Sequence, residues 1–457
     1  MLGLRLSPTS PVRAPWWRAP GYSAEGIDSG QSLPPSAIAN FRQGRYALLQ
    51  PPAAGIASAS PGELCNMQEC RFSDVFTFSR AGTATYWDAG GILRSASADN
   101  PRFDHTNGKP QLLLEGPATE LGCQTDLTTA VAGIIGSGGM LPTGWSHTAD
   151  TAGITIEVIG RGTSGVLSYL DLRMTGTPTA AFRLRPCAAG GLACSASTQY
   201  VASAFLSLLA GSLSASALQI GAGWFDAGSA YLSQSVSAIG NLVGNTLSRQ
   251  SFAVTSPSNA ARASHILYFA PTIGTPVDFT LRLAMPNLTT GERASSPILS
   301  SGMASTRAAD LCQFGPRSTA LLGRSQYGAI IRGQGIWGSQ GRLIGGLGTN
   351  DRLVGINSSQ TSIGLGVSSG YLQVAAISVP LPAFGMAVGC NAAGKAGAYN
   401  GGAAVSDTSP LAINIASAYL GRDGAGNYFA QGWYDELALY GFRPSAVSLA
   451  ARAVPLP

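Results

Sequence analysis

Three features of the sequence predict an all-β fold. Only 11% of the residues are charged and 59 of the 457 are Gly, a composition that suits short strands and tight turns better than long charged helices. Apolar residues recur at every second position in several runs, as they do in a strand with one buried face. Turn residues separate these runs at the intervals of a β-sandwich. The length suffices for two or three domains whose cores need no metal or disulfide.

Residues 1–75 read as a proline-rich extended arm. Pro8, Pro11, Pro15, Pro20, Pro34, Pro35, Pro51, Pro52 and Pro61 interrupt it, and neither a 2.0 nor a 3.6 period is sustained. Such a segment buries no core of its own and is either disordered or ordered by lying along a partner. Trp16, Trp17, Phe41 and Tyr46 are the residues such an arm would bury on another subunit, and so the docking candidates. In block 76–121, aromatic, Thr and Gly residues alternate in short β-prone runs broken by turns.

Between residues 122 and 305 the clearest strand is Val277 to Met285, apolar at odd positions, with Asp278, Thr280 and Arg282 on the other face. Phe182 and Leu184 alternate with Arg183 and Arg185, and Leu218, Ile220, Ala222 and Trp224 repeat the pattern. From residue 306 to 457 strands are predicted near Ala329–Ile336, Leu353–Ile356, Tyr371–Val379, Gly385–Cys390 and Gly397–Tyr399, with a short helix from Pro444 to Arg452.

Several motifs resemble known families. Phe78 to Tyr86 with Asp88 and Gly91, then Asn100-Pro101-Arg102-Phe103-Asp104, then Leu113-Leu114-Glu115 are similar in order and spacing to a small β module of tailed-phage virion proteins of the head-spike-fibre and tail-fibre type. Ala118 and Glu120 stand where that module usually has Arg and Asn. Trp145, the Gly223-to-Asp226 segment and Leu288 to Ile298 resemble the carbohydrate-binding-module-like jelly roll that follows it in many phage fibres. Leu288, Gly291, Ala294, Ser296, Arg307 and Asp310 match, and Thr289 replaces a Glu. The ending, Tyr419 to Arg422 and Phe429 to Tyr440 followed by the helix, is similar to concanavalin-A-like or laminin-G-like domains. The resemblance implies four segments: the docking arm 1–75, the module 76–121, a jelly roll 122–305 and a lectin-like sandwich 306–457.

The chemistry available is limited. A net charge of +5 with no Lys/Arg run lacks the footprint of a nucleic-acid binder. No run approaches the roughly 18 apolar residues of a membrane span, and the N-terminus lacks a signal-peptide pattern, so a soluble protein is expected. Seven cysteines form no zinc spacing, although Cys65 with Cys70 and Cys187 with Cys194 could close small loops. His105, His147 and His265 are the whole histidine supply, and each reads as structural. Gly160-Arg161-Gly162-Thr163-Ser164-Gly165 matches GxGxxG but lies between two strand-like runs, which predicts a hairpin turn rather than a nucleotide site.

Asp435 and Glu436 sit next to each other on one strand, so they diverge and do not form a glycosidase pair. Asp423, Asn427 and Asp435 offer oxygen donors of the kind calcium takes, without EF-hand spacing. No other cofactor is expected. A sugar site needs flat aromatic surface with a few polar groups around it. Trp224, Tyr231, Trp337, Tyr399 and Tyr428, in predicted turns or strand ends, are the candidates.

Taken with the resemblance, these readings predict a non-enzymatic virion protein, assembled in the host cytoplasm and displayed on a phage or phage-like particle. It would dock through its N-terminus to capsid or tail proteins, bind host surface polysaccharide and form a homo-oligomer, trimeric or pentameric, because weak sugar sites gain avidity when several are held together. The rival readings are a purely architectural spike-base or decoration protein and a polysaccharide depolymerase.

Overall fold

The structure, a computed structural model, describes residues 15–18, 22–25, 27, 32–33, 35–49, 67–213, 217–242, 244, 246–348, 352–366, 370–409 and 416–457. The fold is all-β, built of antiparallel sheets with a few short helices. The chain divides into two compact units. The first comprises residues 1–79, 100–116 and 310–457, and the second residues 80–99 and 117–309. Block 76–121, read above as one module, is therefore shared between two bodies.

The second unit is a two-sheet sandwich. Its nine-stranded sheet is centred on the long strand Val277–Thr290, which pairs with Leu167–Gly176 and with Gln199–Gly211. The facing six-stranded sheet carries Ser146–His147, Phe182–Arg185, Arg262–Phe269, Leu218–Phe225 and Tyr231–Ala238 in that order, with Leu192–Ala193 added on Arg262–Phe269. One core fills the space between them, including Ile156, Leu172, Leu206 and Leu283 from one sheet and Phe182, Leu184, Ile220, Trp224 and Leu267 from the other. The predicted strands at 182–185, 218–224 and 277–285 are all present. The GxGxxG stretch runs along the strand Ile154–Ser164 and ends at Gly165, where φ is +64° and the chain turns into Leu167–Gly176. It opens no helix.

In the first unit a ten-stranded sheet faces a seven-stranded one. The strands expected near 329–336, 353–356, 371–379, 385–390 and 397–399 appear as Tyr327–Trp337, Arg352–Ile356, Leu372–Ala376, Phe384–Asn391 and Gly394–Tyr399. The closing helix is Ala446–Arg452, with the Ser445 side chain accepting from the Ser448 N–H at its start.

The described parts of segment 1–75 correct the extended-arm expectation. Ala37–Asn40 pairs with Gln431–Tyr440, Arg45–Leu49 pairs with Ala37–Asn40, and Met67–Cys70 pairs with Arg45–Leu49, so all three extend this unit's own ten-stranded sheet. Phe41 and Tyr46 join the core between the two sheets, while Trp17 packs on the sheet's other side with Ile38, Tyr440 and Leu449. Trp16 is half-buried, edge-on to Trp17 and Tyr22 and beneath the Arg45 guanidinium. These strands are buried on both faces, Ala37, Ala39, Tyr46 and Leu48 in one core and Ile38 and Ala47 in the other, so no two-residue alternation marks them. Pro8, Pro11, Pro20, Pro34, Pro51, Pro52, Pro61 and Cys65 lie outside the described residues.

Candidate functional site

The quoted motif residues converge on buried polar networks. Arg102, fully buried, donates to Glu115 at 2.8 Å and to Asp310 at 2.5 Å, and Asp310 also accepts the Glu115 N–H. Asp104 accepts from the Trp433 indole at 2.8 Å. In the second unit Arg80 donates to the carbonyls of Gly82 and Ser97, and Arg307 donates to Ser296. Each arginine is withdrawn from solvent, so the motif is a set of internal braces rather than a contact surface.

Asp435 and Glu436 enter separate networks, as expected, but simple alternation is not the whole reason. Gly333 pairs with Tyr434 and Arg332 with Glu436, which leaves Asp435 as the extra residue of a bulge. Asp435 accepts from Arg42 and Gln111, and Glu436 from Arg332 and Asn40. With its oxygens held by Arg42 and Gln111, Asp435 is not free to join Asp423 and Asn427 around calcium. Asp423 itself accepts the Asn427 N–H. Among the described residues no cluster of three His, Cys, Asp or Glu could hold a metal.

Six of the cysteines are described and all are free thiols, so the 187–194 bridge is not formed; Cys187 instead contacts Cys123. A cleft of about 500 Å³ in the first unit is lined by Glu69, Cys70, Arg71, Asp74 and Arg317. Burial pushes the Cys70 thiol up to about 11, so it is protonated at neutral pH.

The five aromatic candidates do not form one platform. Trp224 is fully buried, its indole donating to Ser235 at 3.1 Å. The turn expected at Gly223–Asp226 begins only after Phe225, and Trp224 keeps the inward parity of Leu218, Ile220 and Ala222. Trp337, Tyr399 and Tyr428 belong to the first unit and are half-buried. Tyr399 stacks on Phe384, and Tyr428 lies under the Arg342 guanidinium at 4.5 Å. Only Tyr231 is well exposed, at 48%.

Tyr231 marks the outward face of the six-stranded sheet in the second unit. Register places Arg183 opposite Tyr268, Tyr268 opposite Gln219, and Phe225 opposite Tyr231. Gly221 and Gly223 lie in the strand between, and the side chains of Ile266 and Ser264, opposite them and buried, fill the middle of the face. The Arg183 guanidinium lies 5.6 Å from the Tyr231 ring and 5.2 Å from the Tyr268 ring, distances at which a cation and an aromatic face attract. Its Nε donates to Gln234 at 2.7 Å, and the Tyr231 hydroxyl donates to the same Gln234 oxygen at 3.4 Å. Arg185, two residues along on the same face, lies 5.9 Å from the Phe225 ring. Flat rings, guanidinium donors and an amide are thus arrayed on the outward side of one sheet, with Tyr231 its exposed ring.

The sequence showed both arginines on the polar side of a strand, and Tyr268 in an apolar strand. Nothing local signalled that these strands would be neighbours.

Two buried groups give the second unit a pH signature. Glu120 is fully buried, and burial outweighs the N–H donors of Cys123, Gly122 and Leu288 to push it from 4.5 up to about 7. Only the folded state holds that proton between the two values, so Glu120's contribution is complete below pH 4.5 and lost as pH rises to 7. Burial lowers His265 from 6.5 to about 4, which is the opposite case: its contribution is complete above 6.5 and lost as pH falls to 4. The two oppose each other between pH 4.5 and 6.5. In Glu120→Gln, stability should therefore rise from pH 4 to 6.5. In His265→Leu it should fall from pH 4.5 to 7, with the parent flatter than either. Identical slopes in all three, from urea titrations at stepped pH, would show that neither group titrates there.

No family model and no curated protein matches the chain. Among solved structures it is similar to the N-terminal CBM22-1–GH10 modules of the Clostridium thermocellum endo-1,4-β-D-xylanase 10B complexed with xylohexaose, at 11% identity and a TM-score of 0.24, over 39% of this chain and 30% of that one. It is also similar to the CBM22-1–CBM22-2 tandem domain of Paenibacillus barcinonensis Xyn10C, at 9% identity and a TM-score of 0.23, over 69% of this chain and 98% of that one. The chain spans under a third of the first.

Proposed function

We propose that this chain is an adhesion protein that binds glycans on the outward face of the six-stranded sheet, without cleaving them. The observation that carries the reading is the exposed Tyr231, whose ring and that of Tyr268 both lie against the Arg183 guanidinium. A pyranose has apolar faces that pack on aromatic rings and a rim of hydroxyls that take donors such as guanidinium and amide. The motifs similar to phage spike and fibre proteins support its display on a phage or phage-like particle, as a homo-oligomer held to capsid or tail proteins.

The test is binding of the labelled full-length chain to the particle's host cells, with and without their surface polysaccharide. Saturable binding lost on stripping is expected. Tyr231→Ala should weaken it about tenfold, roughly 1.4 kcal/mol, with the unfolding transition unchanged. Release of reducing ends from the polysaccharide would instead favour the depolymerase.

One observation favours the architectural alternative. Val131 and Met140, partners in a β-bridge, are exposed together with Ile134 at 43%, 61% and 44%. Apolar groups of this kind suit a subunit contact. Under that reading Met140→Lys would abolish particle assembly, and the chain would show no affinity for cells.

A further inference from the structure

We propose that the ligand of this face is an acidic glycan, with Arg185 receiving the carboxylate of a uronic-acid-type sugar residue. The inference rests on the glycan reading above and adds the substrate class.

Arg183 and Arg185 stand two residues apart on one strand, on one face, with like charge. Among the described residues neither makes an ion pair, and the one side-chain hydrogen bond of the two goes from Arg183 to the neutral Gln234. Elsewhere in this unit Arg94, Arg173 and Arg282 are paired with Asp88, Asp278 and Asp171, while Arg161, Arg249 and Arg262 donate to backbone carbonyls. Arg185, on the face that carries Tyr231, has neither an acid nor a carbonyl among the described residues.

Around Arg185 the polar groups lack partners. Its Nε is buried with no acceptor, and so is the Oγ of Ser146, the residue directly opposite it in register. Leaving such groups unmatched is costly unless an acceptor arrives. A carboxylate is acceptor-only, and its two oxygens fit a guanidinium fork and an adjacent hydroxyl. Burial first, and Arg183 second, hold the Arg185 pKa below the ordinary arginine value, and the charge of an arriving anion acts in the opposite direction. The rings of Tyr231 and Tyr268 would then take the sugar body.

The test measures affinity of the full-length chain, by calorimetry at fixed salt, for polygalacturonate, alginate and hyaluronate, each beside its carboxyl-reduced form, and for neutral dextran and xylan. At least one acid form should bind ten times or more tighter than its reduced form. Arg185→Gln should erase that preference while still binding the reduced form. Arg94→Gln, which removes the same charge elsewhere in the unit, should preserve it. Equal binding of acid and reduced forms, an unchanged preference in Arg185→Gln, or binding confined to neutral polymers overturns the acidic ligand and leaves the glycan reading standing. Binding to none of the polymers overturns both.

Discussion

Arg102→Ala should lower the stability of the first unit by about 3–5 kcal/mol, because it leaves two carboxylates facing each other with no cation between them. The guanidinium is fully buried between Glu115 and Asp310, and burial alone would lower its pKa. The two carboxylates more than reverse that and hold it charged. What is lost is therefore more than one ion pair: Glu115 and Asp310 would have to take up protons or draw in water. Replacing all three by apolar residues of similar volume should cost far less, since the uncompensated charge disappears with its partners. Denaturant titration of both variants decides the matter. A loss under about 1 kcal/mol for Arg102→Ala would mean that the network behaves like an exposed surface bridge.

Trp224→Ala is expected to cost the second unit about 3–5 kcal/mol, the usual range for truncating a buried aromatic side chain to Ala. Trp224 packs between the sheets beside Tyr200, and its N–H is satisfied by Ser235. Tyr231→Ala on the outward face should leave stability unchanged while weakening binding. If Trp224→Ala instead folded normally and bound glycan poorly, the indole would be at the surface and the inward parity of its strand would be wrong.

Arg102 was legible as a motif residue, along with Glu115 and, later in the chain, Asp310. That the three meet was not legible, because nothing in a sequence specifies a contact across some 200 positions. Phe41 and Tyr46 were legible as residues in need of burial, but the partner was misread: the sheet that covers them is completed by Gln431–Tyr440, from the far end of the same chain. Trp224 carried two conflicting signals, a glycine-flanked turn and inward alternation, and packing resolved them in favour of alternation.

Composition and two-residue periodicity were enough to establish an all-β protein, its principal strands and their buried faces, because alternation is imposed residue by residue along a strand. Strand neighbours are chosen by packing of whole sheets, so the tertiary structure alone decided that segments 80–99 and 117–309 form one body. It also decided that Arg183, Arg185, Tyr231 and Tyr268, drawn from three strands, share one outward face.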